Sequence, residues 1–226
     1  IGVFGGSWGG YMTNMVAALA GDKVAAAFPI YGAGYYDLAS VWMPTLQAMP
    51  DDERERWLAA FDPGRLATNI RADYMILAAT DDWFFWPPSV EATLDNIPAP
   101  GPGPHKNWLF SPNDYHAIRL PGGTSDPRVN HAEHRTWMEL RFMDWRLKGE
   151  GAAFPTAQAV GEPVREGDHV RVRFRVTSER PITRAEVYWT AGEMPWRLQW
   201  WEPIEAEEVG DEIYEALVPI RHATVS

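Results

Sequence analysis

The sequence contains no cysteine and is poor in basic residues relative to acidic ones. Of its 226 residues, 20 are Lys or Arg and 31 are Asp or Glu, so the formal net charge is -11 at pH 7. The missing cysteines exclude disulfides and thiolate metal ligands. The acidic balance argues against nucleic acid as a partner, because binding to a phosphate backbone needs clustered Lys and Arg.

Long apolar runs and an N-terminal leader are also missing. No stretch of about eighteen uncharged apolar residues occurs, so we predict neither a membrane span nor a membrane partner. The sequence opens on the apolar, strand-like residues 1–4, with no signal peptide and no initiator methionine. We therefore expect a chain that is truncated at its N-terminus, or whose fold is completed by another segment. A cytoplasmic and a secreted location both stay open, as does the oligomeric state.

Up to about residue 150, strand and helix patterns alternate along the chain, which is typical of an α/β fold with a parallel sheet and flanking helices. Hydrophobic residues make up 46% of the sequence, enough for a substantial core. Buried strands are predicted at 1–4, 24–31 and 74–79, and a short strand at 107–110. Helices are predicted at about 11–20, 51–61, 88–97 and 131–148. A tight turn is predicted at 5–10, and irregular segments or loops separate the later elements.

The pattern changes after residue 150. Residues 149–161 are small and polar and are predicted to form a linker. Residues 170–176 alternate strictly between apolar and basic side chains, which predicts a half-buried strand. Further strands are predicted at 185–190, 196–201 and 213–219, and no helix is predicted. We therefore expect an α/β domain over residues 1–150 and a small all-β, sandwich-like domain over residues 161–226.

Residues 5–9 match the G-x-S-x-G pattern of a nucleophile elbow, between an apolar strand and a helix. Ser7 would sit at a sharp, strained turn, and Gly5 and Gly9 would let the strand and the helix approach without Cβ clashes. The helix N-terminus would direct N–H groups, including that of Trp8, at a developing oxyanion. A glycine-rich turn with an uninvolved serine is the alternative, and the strand-to-helix context favours the nucleophile.

A serine nucleophile needs a base, and in this fold an Asp or Glu and then a His follow it in the chain. Asp81 and Asp82 both follow the predicted strand 74–79, where the acid is expected. His116 lies in the loop after the strand 107–110, where the base is expected. The other five histidines lie beside a Pro-Gly loop, on a predicted helix or in the β-domain: His105, His131, His134, His169 and His222.

A helical metal site is the next alternative. His131 and His134 are three residues apart with Glu133 between them, whereas helical zinc motifs place two histidines four apart with a glutamate beside the first. We interpret these residues as exposed helix positions, and we predict neither a metal nor a cofactor.

Residues 7–11, Ser-Trp-Gly-Gly-Tyr, resemble the elbow of prolyl-oligopeptidase-like and acetylxylan-esterase-like α/β hydrolases. Segments within 29–34, 57–63 and 80–89 are also similar, so the resemblance covers roughly residues 1–148. It implies that residues 1–150 correspond to the C-terminal half of the α/β-hydrolase fold. It also places the catalytic aspartate on Asp82, with Asp81 as the fallback, and the histidine on His116.

The resemblance implies a serine hydrolase that cleaves carboxylic esters through an acyl-enzyme, with a small-molecule or carbohydrate ester, acetylated carbohydrate above all, as substrate. A second oxyanion donor would come from a loop upstream of the elbow strand, so the chain alone is expected to turn over slowly. Aromatic residues near the site are expected to contact a sugar or an acyl group, or to form core: Trp42, Trp83, Phe84, Phe85 and Trp86.

Two other functions stay open. A prolyl-oligopeptidase-type serine peptidase is the first alternative, because the same elbow serves amide substrates. A non-catalytic carbohydrate-binding module is the second. Its sugar-binding face would consist of tryptophans of the β-domain, although core packing would also explain them: Trp189, Trp196, Trp200 and Trp201.

Overall fold

The computed structural model describes residues 1–98, 106–116, 131–190 and 199–220. Contacts between Cα atoms divide the chain into two units, of which the first is Ile1–Gly151 and the second begins at Ala152. In the described part of the chain, no helix combines the length and the apolar character that crossing a membrane requires.

The first unit is built on a four-stranded parallel sheet with the strand order β1-β2-β3-β4. Its strands are β1 (Gly2–Gly6), β2 (Ala26–Ile30), β3 (Asp73–Ala79) and β4 (Lys106–Ser111). All residues of β2 and β3 are buried, as expected for inner strands of a parallel sheet. The first strand is predicted to be buried, but β1 lies at the edge of the sheet and Phe4 is 60% exposed.

Six α-helices accompany this sheet in the described part of the first unit. They are α1 (Trp8–Ala20), α2 (Met43–Gln47), α3 (Asp51–Phe61), α4 (Pro63–Leu66), α5 (Pro87–Asn96) and α6 (His131–Met143). Three acidic residues open α3, where they interact favourably with the helix dipole. A π-helical turn, Asp144–Lys148, continues α6, and Gly149 ends it in the left-handed conformation with φ 71°.

Helix α1 packs unusually closely on the end of β2. A Cβ atom on Gly10 would lie 2.6 Å from the carbonyl oxygen of Ile30, and one on Gly32 would lie 2.5 Å from the backbone of Gly10. The buried Asn14 bridges the same contact, since its amide nitrogen donates to the carbonyl oxygens of Gly10 and Gly32, both at 3.1 Å. Its oxygen accepts from the Tyr74 hydroxyl at 2.7 Å. The start of α1 is therefore held firmly over the sheet.

In the described residues of the second unit, antiparallel strands form two sheets. The larger has the order β10-β11-β7-β5 with β6 also paired to β7, and the smaller is β8-β9. Side chains of both sheets share one hydrophobic cluster. The predicted fold class, a parallel α/β sheet followed by a sandwich-like β region, is therefore confirmed. The strands are β5 (Thr156–Ala159), β6 (Val164–Glu166), β7 (His169–Thr177), β8 (Glu186–Trp189), β9 (Glu202–Glu205), β10 (Glu207–Gly210) and β11 (Ile213–Pro219).

The strands of the second unit differ in part from the sequence prediction. Residues 156–159, within the predicted linker, form β5 because they pair with β7. The predicted strand at 196–201 is wrong for residues 199–201, which are irregular, whereas 196–198 lie outside the described residues. The partner of β8 is instead β9, in a register that pairs Trp189 with Glu202.

Candidate active site

Ser7 alone makes the turn between β1 and α1. Its backbone has φ 56° and ψ -116°, a conformation that non-glycine residues rarely adopt. Its N–H donates to the carbonyl oxygen of Ile30 at 2.8 Å, and its own carbonyl oxygen accepts from Tyr11 at 3.0 Å. The predicted turn over residues 5–10 is thus much shorter than expected, because Gly6 still pairs in the sheet and Trp8 already begins the helix. The Ser7 side chain is left on an exposed, sharply turned residue.

The glycines around Ser7 differ in how strictly they are required. A Cβ atom on Gly5 would lie 2.7 Å from the carbonyl carbon and oxygen of Gly9, closer than real Cβ atoms approach backbone. A Cβ atom on Gly9 would meet no atom within 4 Å. The expectation that both positions need glycine is therefore right for Gly5 and wrong for Gly9. Gly10, against β2, is the second glycine that packing requires.

The fold brings Ser7, His116 and Asp82 into one hydrogen-bonded row. The Nε2 atom of His116 lies 2.5 Å from the Ser7 Oγ, although the two residues are 109 positions apart in the chain. The Nδ1 atom of the same ring lies 2.8 Å from the Asp82 Oδ2. With the proton on Nδ1, the ring donates to the carboxylate, and Nε2 is then free to accept from the serine hydroxyl.

Asp82 is held by its own loop. The residue is 1% exposed, and its Oδ1 accepts from the backbone N–H groups of Phe84 at 2.7 Å and Phe85 at 3.0 Å. One carboxylate oxygen is thus fixed by the backbone, while the other faces His116. The carboxylate of Asp81 accepts instead from the Thr80 hydroxyl at 3.1 Å. The geometry therefore pairs the histidine with Asp82, the residue to which the family resemblance points.

The loops that carry the aspartate and the histidine are hydrogen-bonded to each other. The Thr80 N–H donates to the Ser111 carbonyl oxygen at 3.1 Å, and the Asp81 N–H donates to that of Asp114 at 3.1 Å. The Asn113 N–H donates to the Thr80 hydroxyl at 2.8 Å. These bonds continue the pairing of β3 with β4 beyond the strands, so the two loops leave the sheet together.

Two residues beside these side chains were not predicted from the sequence to belong to the site. Asp114 is fully buried, and its carboxylate accepts from the Tyr31 hydroxyl at 3.0 Å and from the Tyr115 N–H at 2.8 Å. Tyr31 follows β2 and has a positive φ of 51°. The only sequence signal for this pair is an acidic residue two positions before His116, which by itself does not separate a buried carboxylate from a solvated one.

The aromatic residues expected near the site divide into buried and exposed ones. The Phe84 ring meets the His116 ring edge-on with a centroid distance of 4.6 Å, and it is partly exposed. Phe85 is buried core behind it, whereas Trp42 and Trp86 are half-buried. Four exposed aromatic side chains lie within two positions of Ser7, Asp82 or His116 in the sequence, and we call them the aromatic rim: Trp8, Trp83, Phe84 and Tyr115.

The backbone N–H of Trp8 belongs to the first turn of α1, where helical N–H groups lack an acceptor inside the helix. This end of the helix also carries partial positive charge from the aligned peptide dipoles. The N–H group adjoins Ser7 in the chain, so it lies at the end of the helix from which the serine projects. The Trp8 ring stacks on Tyr11 with a centroid distance of 4.9 Å, and the residue is 59% exposed.

Other sequence candidates lie elsewhere. His169 pairs with Asp168 at 2.7 Å in the second unit. Within the described ranges, no group of three or more His, Asp or Glu side chains is arranged to hold a metal ion. His105, His222 and Trp196 lie outside the described residues, as do the side chains of His131, Glu133 and His134. Of the tryptophans proposed as a sugar-binding face, Trp189 is buried, Trp201 is half-buried and Trp200 is exposed.

No protein-family model matches the chain, and no curated protein is significantly similar to it. Solved structures of three enzymes are similar in part. Acetyl xylan esterase 1 from a Thermoanaerobacterium species is 21% identical with a TM-score of 0.44, over 63% of this chain and 44% of that one. The acylaminoacyl peptidase of Pyrococcus horikoshii is 18% identical with a TM-score of 0.49, over 68% of this chain and 25% of that one.

The third structure is a puromycin-hydrolysing peptidase of Mycobacterium tuberculosis, which is 21% identical with a TM-score of 0.45, over 65% of this chain and 22% of that one. The chain thus spans less than half the length of each of these enzymes. These similarities concern the fold alone and carry no conclusion about activity.

Proposed function

We propose that this chain carries a serine-hydrolase active site with Ser7 as nucleophile, His116 as general base and Asp82 as the acid that orients the histidine. The observation that carries the proposal is the continuous row from the Asp82 Oδ2 through His116 to the Ser7 Oγ. The strained backbone of Ser7 supports it, because such strain persists where a side chain must be presented for function.

The reaction follows from the order of these groups. His116 Nε2 takes the proton of Ser7 as its Oγ attacks the acyl carbon of the substrate, and the carbonyl oxygen becomes an oxyanion that accepts from the Trp8 N–H. The tetrahedral intermediate collapses to an acyl-serine, and the leaving alcohol takes the proton from His116. Water then attacks the acyl-serine by the same steps and releases the acid and free Ser7.

Asp82 contributes without changing its own protonation. It holds the ring with Nδ1–H towards the carboxylate and stabilises the imidazolium that forms during each proton transfer. The two backbone N–H groups on Oδ1 keep the carboxylate from rotating away. Because Asp82 is almost completely buried, its interaction with the imidazolium is weakly screened by water.

The substrate class we propose is a carboxylic ester on a carbohydrate, an acetyl ester above all. The aromatic rim supports this choice, because exposed aromatic rings beside a site pack on the apolar faces of a planar or ring-shaped ligand. A peptidase of the prolyl-oligopeptidase type is the alternative, and the rates on ester and amide substrates distinguish the two.

A fluorophosphonate probe tests the proposal directly, because it reacts covalently with an activated serine even when turnover is slow. We expect labelling of the chain at Ser7, identified by mass spectrometry of the peptide, and no labelling of Ser7→Ala. Labelling that is absent from the wild-type chain, or that persists in Ser7→Ala, would reject the proposed nucleophile.

Turnover then distinguishes the substrate classes. Hydrolysis of p-nitrophenyl acetate and of acetylated xylo-oligosaccharides, without cleavage of a dipeptidyl anilide, is expected for the carbohydrate esterase. Faster cleavage of the anilide would assign the site to a peptidase. Binding of oligosaccharide by a chain whose serine is unreactive would instead support the non-catalytic binding module.

A further inference from the structure

Asp114 is a fully buried carboxylate that the proposed mechanism does not use. Its Oδ2 accepts from the Tyr31 hydroxyl at 3.0 Å, and its Oδ1 accepts from the Tyr115 N–H at 2.8 Å. A buried carboxylate is costly unless its oxygens are hydrogen-bonded. Both oxygens of Asp114 have a donor, one beside His116 in the chain and the other at the end of β2.

Tyr31 is itself fixed beside the elbow. Its N–H donates to the Leu77 carbonyl oxygen at 2.8 Å, and the carbonyl oxygen of its neighbour Ile30 accepts from the Ser7 N–H at 2.8 Å. The Tyr31 side chain is buried, and its ring centroid lies 5.7 Å from that of His116. The Tyr31 phenol therefore reaches from the end of β2, where Ile30 accepts from the Ser7 N–H, to the loop that carries His116.

The other contacts of the loop that carries His116 come from a different strand than the Tyr31 bond does. The bonds from Thr80 and Asp81 tie residues 111–114 to the end of β3, and Asp82 holds the imidazole from that same loop. The bond from Tyr31 ties the histidine loop to the end of β2, which carries the contact to Ser7. The two sets of contacts therefore approach His116 from two neighbouring strands.

We infer that the Tyr31–Asp114 hydrogen bond sets the distance between His116 and Ser7, and that Tyr31 and Asp114 are positioning residues of the active site. The inference rests on the proposed function. Proton transfer between Ser7 and His116 is sensitive to displacements of about 1 Å, which can cost about a hundredfold in rate. Asp82 controls the orientation of the His116 ring, whereas Tyr31 and Asp114 control the position of the loop that carries it.

Tyr31→Phe tests the inference because it removes one hydroxyl and leaves the ring. The chain offers a matched control in Tyr74→Phe, which also removes a buried phenol hydroxyl with one hydrogen bond, to Asn14 at 2.7 Å. We expect Tyr31→Phe to lower kcat for p-nitrophenyl acetate by roughly tenfold or more while KM changes by less than about twofold. Tyr74→Phe is expected to lose comparable stability and to keep its kcat.

Hydrogen exchange gives a second readout that does not depend on activity. Exchange at the Tyr115 amide is expected to be faster in Tyr31→Phe than in the wild-type chain or in Tyr74→Phe, because the carboxylate that accepts from this amide loses its hydrogen bond to Tyr31. Should Tyr31→Phe not fold, Asp114→Asn serves for both measurements. We expect Asp114→Asn also to lower kcat at unchanged KM and to speed Tyr115 exchange.

The outcomes separate this inference from the proposed function. If the wild-type chain reacts with the fluorophosphonate and hydrolyses the ester, and kcat and Tyr115 exchange are the same in Tyr31→Phe and Tyr74→Phe, the positioning role is wrong and the hydrolase stands. If the wild-type chain is inert, the hydrolase is rejected. The exchange comparison then still decides whether the hydrogen bond positions the loop, with unchanged exchange overturning it.

Discussion

The proposed nucleophile elbow at Ser7 and the loop that carries His116 are held at the candidate active site by different physical means. The elbow is held by close packing of backbone on backbone, at Gly5 against Gly9 and at Gly10 against Ile30. The loop that carries His116 is held by polar contacts with buried side chains, those of Asp82 and Asp114 among them. The elbow, which we call the steric half of the site, therefore depends on the absence of side-chain atoms. The histidine loop, which we call the polar half, depends on the presence of particular side chains.

The largest effect is expected from the polar half. Asp82→Asn keeps the size of the side chain but lets the histidine adopt the wrong tautomer, so kcat should fall on the order of 10³- to 10⁴-fold. Steady-state hydrolysis of p-nitrophenyl acetate measures it. Asp81→Asn is the adjacent control, and we expect it to lose less than about tenfold because Asp81 accepts from Thr80. An equal loss in both variants would contradict the assignment of Asp82.

The next largest effect is expected from the steric half of the site, at Gly5. Gly5→Ala would place a Cβ atom 2.7 Å from the backbone of Gly9, so either the strand or the helix must move. We expect a loss of about 3 kcal/mol or more in the free energy of unfolding, together with loss of fluorophosphonate labelling. Urea denaturation followed by circular dichroism measures the stability.

Gly9→Ala is the matched control for this steric effect, since its Cβ would meet open space. A helical Gly→Ala change stabilises by up to about 1 kcal/mol, so the free energy of unfolding should stay equal or rise slightly. If Gly9→Ala destabilised the chain as much as Gly5→Ala, the contrast between the two glycines would be wrong.

Asn14 joins the two kinds of contact, because a side chain here bonds the backbone where α1 packs on β2. Asn14→Ala leaves carbonyl oxygens and the Tyr74 hydroxyl buried without this partner, and we expect it to lower the free energy of unfolding by about 2 to 3 kcal/mol. Asn107→Ala is the comparison, because that buried side-chain nitrogen has no partner among the described residues. A smaller loss is expected there, and the reverse order would contradict the role of Asn14.

The smallest effect is expected at the aromatic rim. Trp83→Ala removes a ring that is 54% exposed, and we expect KM for acetylated xylo-oligosaccharides to rise by about three- to tenfold with kcat nearly unchanged. Trp137→Ala, equally exposed on α6, should leave KM unaltered. Equal KM values for the two variants would remove the aromatic rim from substrate binding.

The elements that sequence reasoning placed well are those whose signal is local. The helix α3 shows its acidic first turn, β3 is a continuous apolar run, and β7 alternates strictly. The order of Ser7, Asp82 and His116 could also be proposed from the elbow pattern and the strands before each residue. Their hydrogen-bonded row could not, because it depends on how β1, β3 and β4 are placed across the sheet.

The predictions that failed or were missing concern partners distant in the chain. Gly9 belongs to the same motif as Gly5, yet only the packing of α1 shows that a Cβ atom at Gly9 would meet open space. Phe4 is a large apolar residue in an apolar strand, which predicts burial, but β1 lies at the edge of the sheet and Phe4 is exposed. No pattern in the sequence pairs Tyr31 with Asp114, because their hydrogen bond joins residues 83 positions apart.

The fold class follows from the sequence alone, since the alternation of apolar runs and helical spacing restricts which elements can form and bury their apolar faces. The sequence also points to Ser7 as a candidate nucleophile, because a G-x-S-x-G pattern between a strand and a helix is a local signal. The tertiary structure sets which carboxylate faces His116 and which glycine is required. It also decided that Tyr31 and Asp114 connect the two halves of the site. Such facts are distances between atoms far apart in the chain, and those distances exist only once the sheet has set the strands side by side.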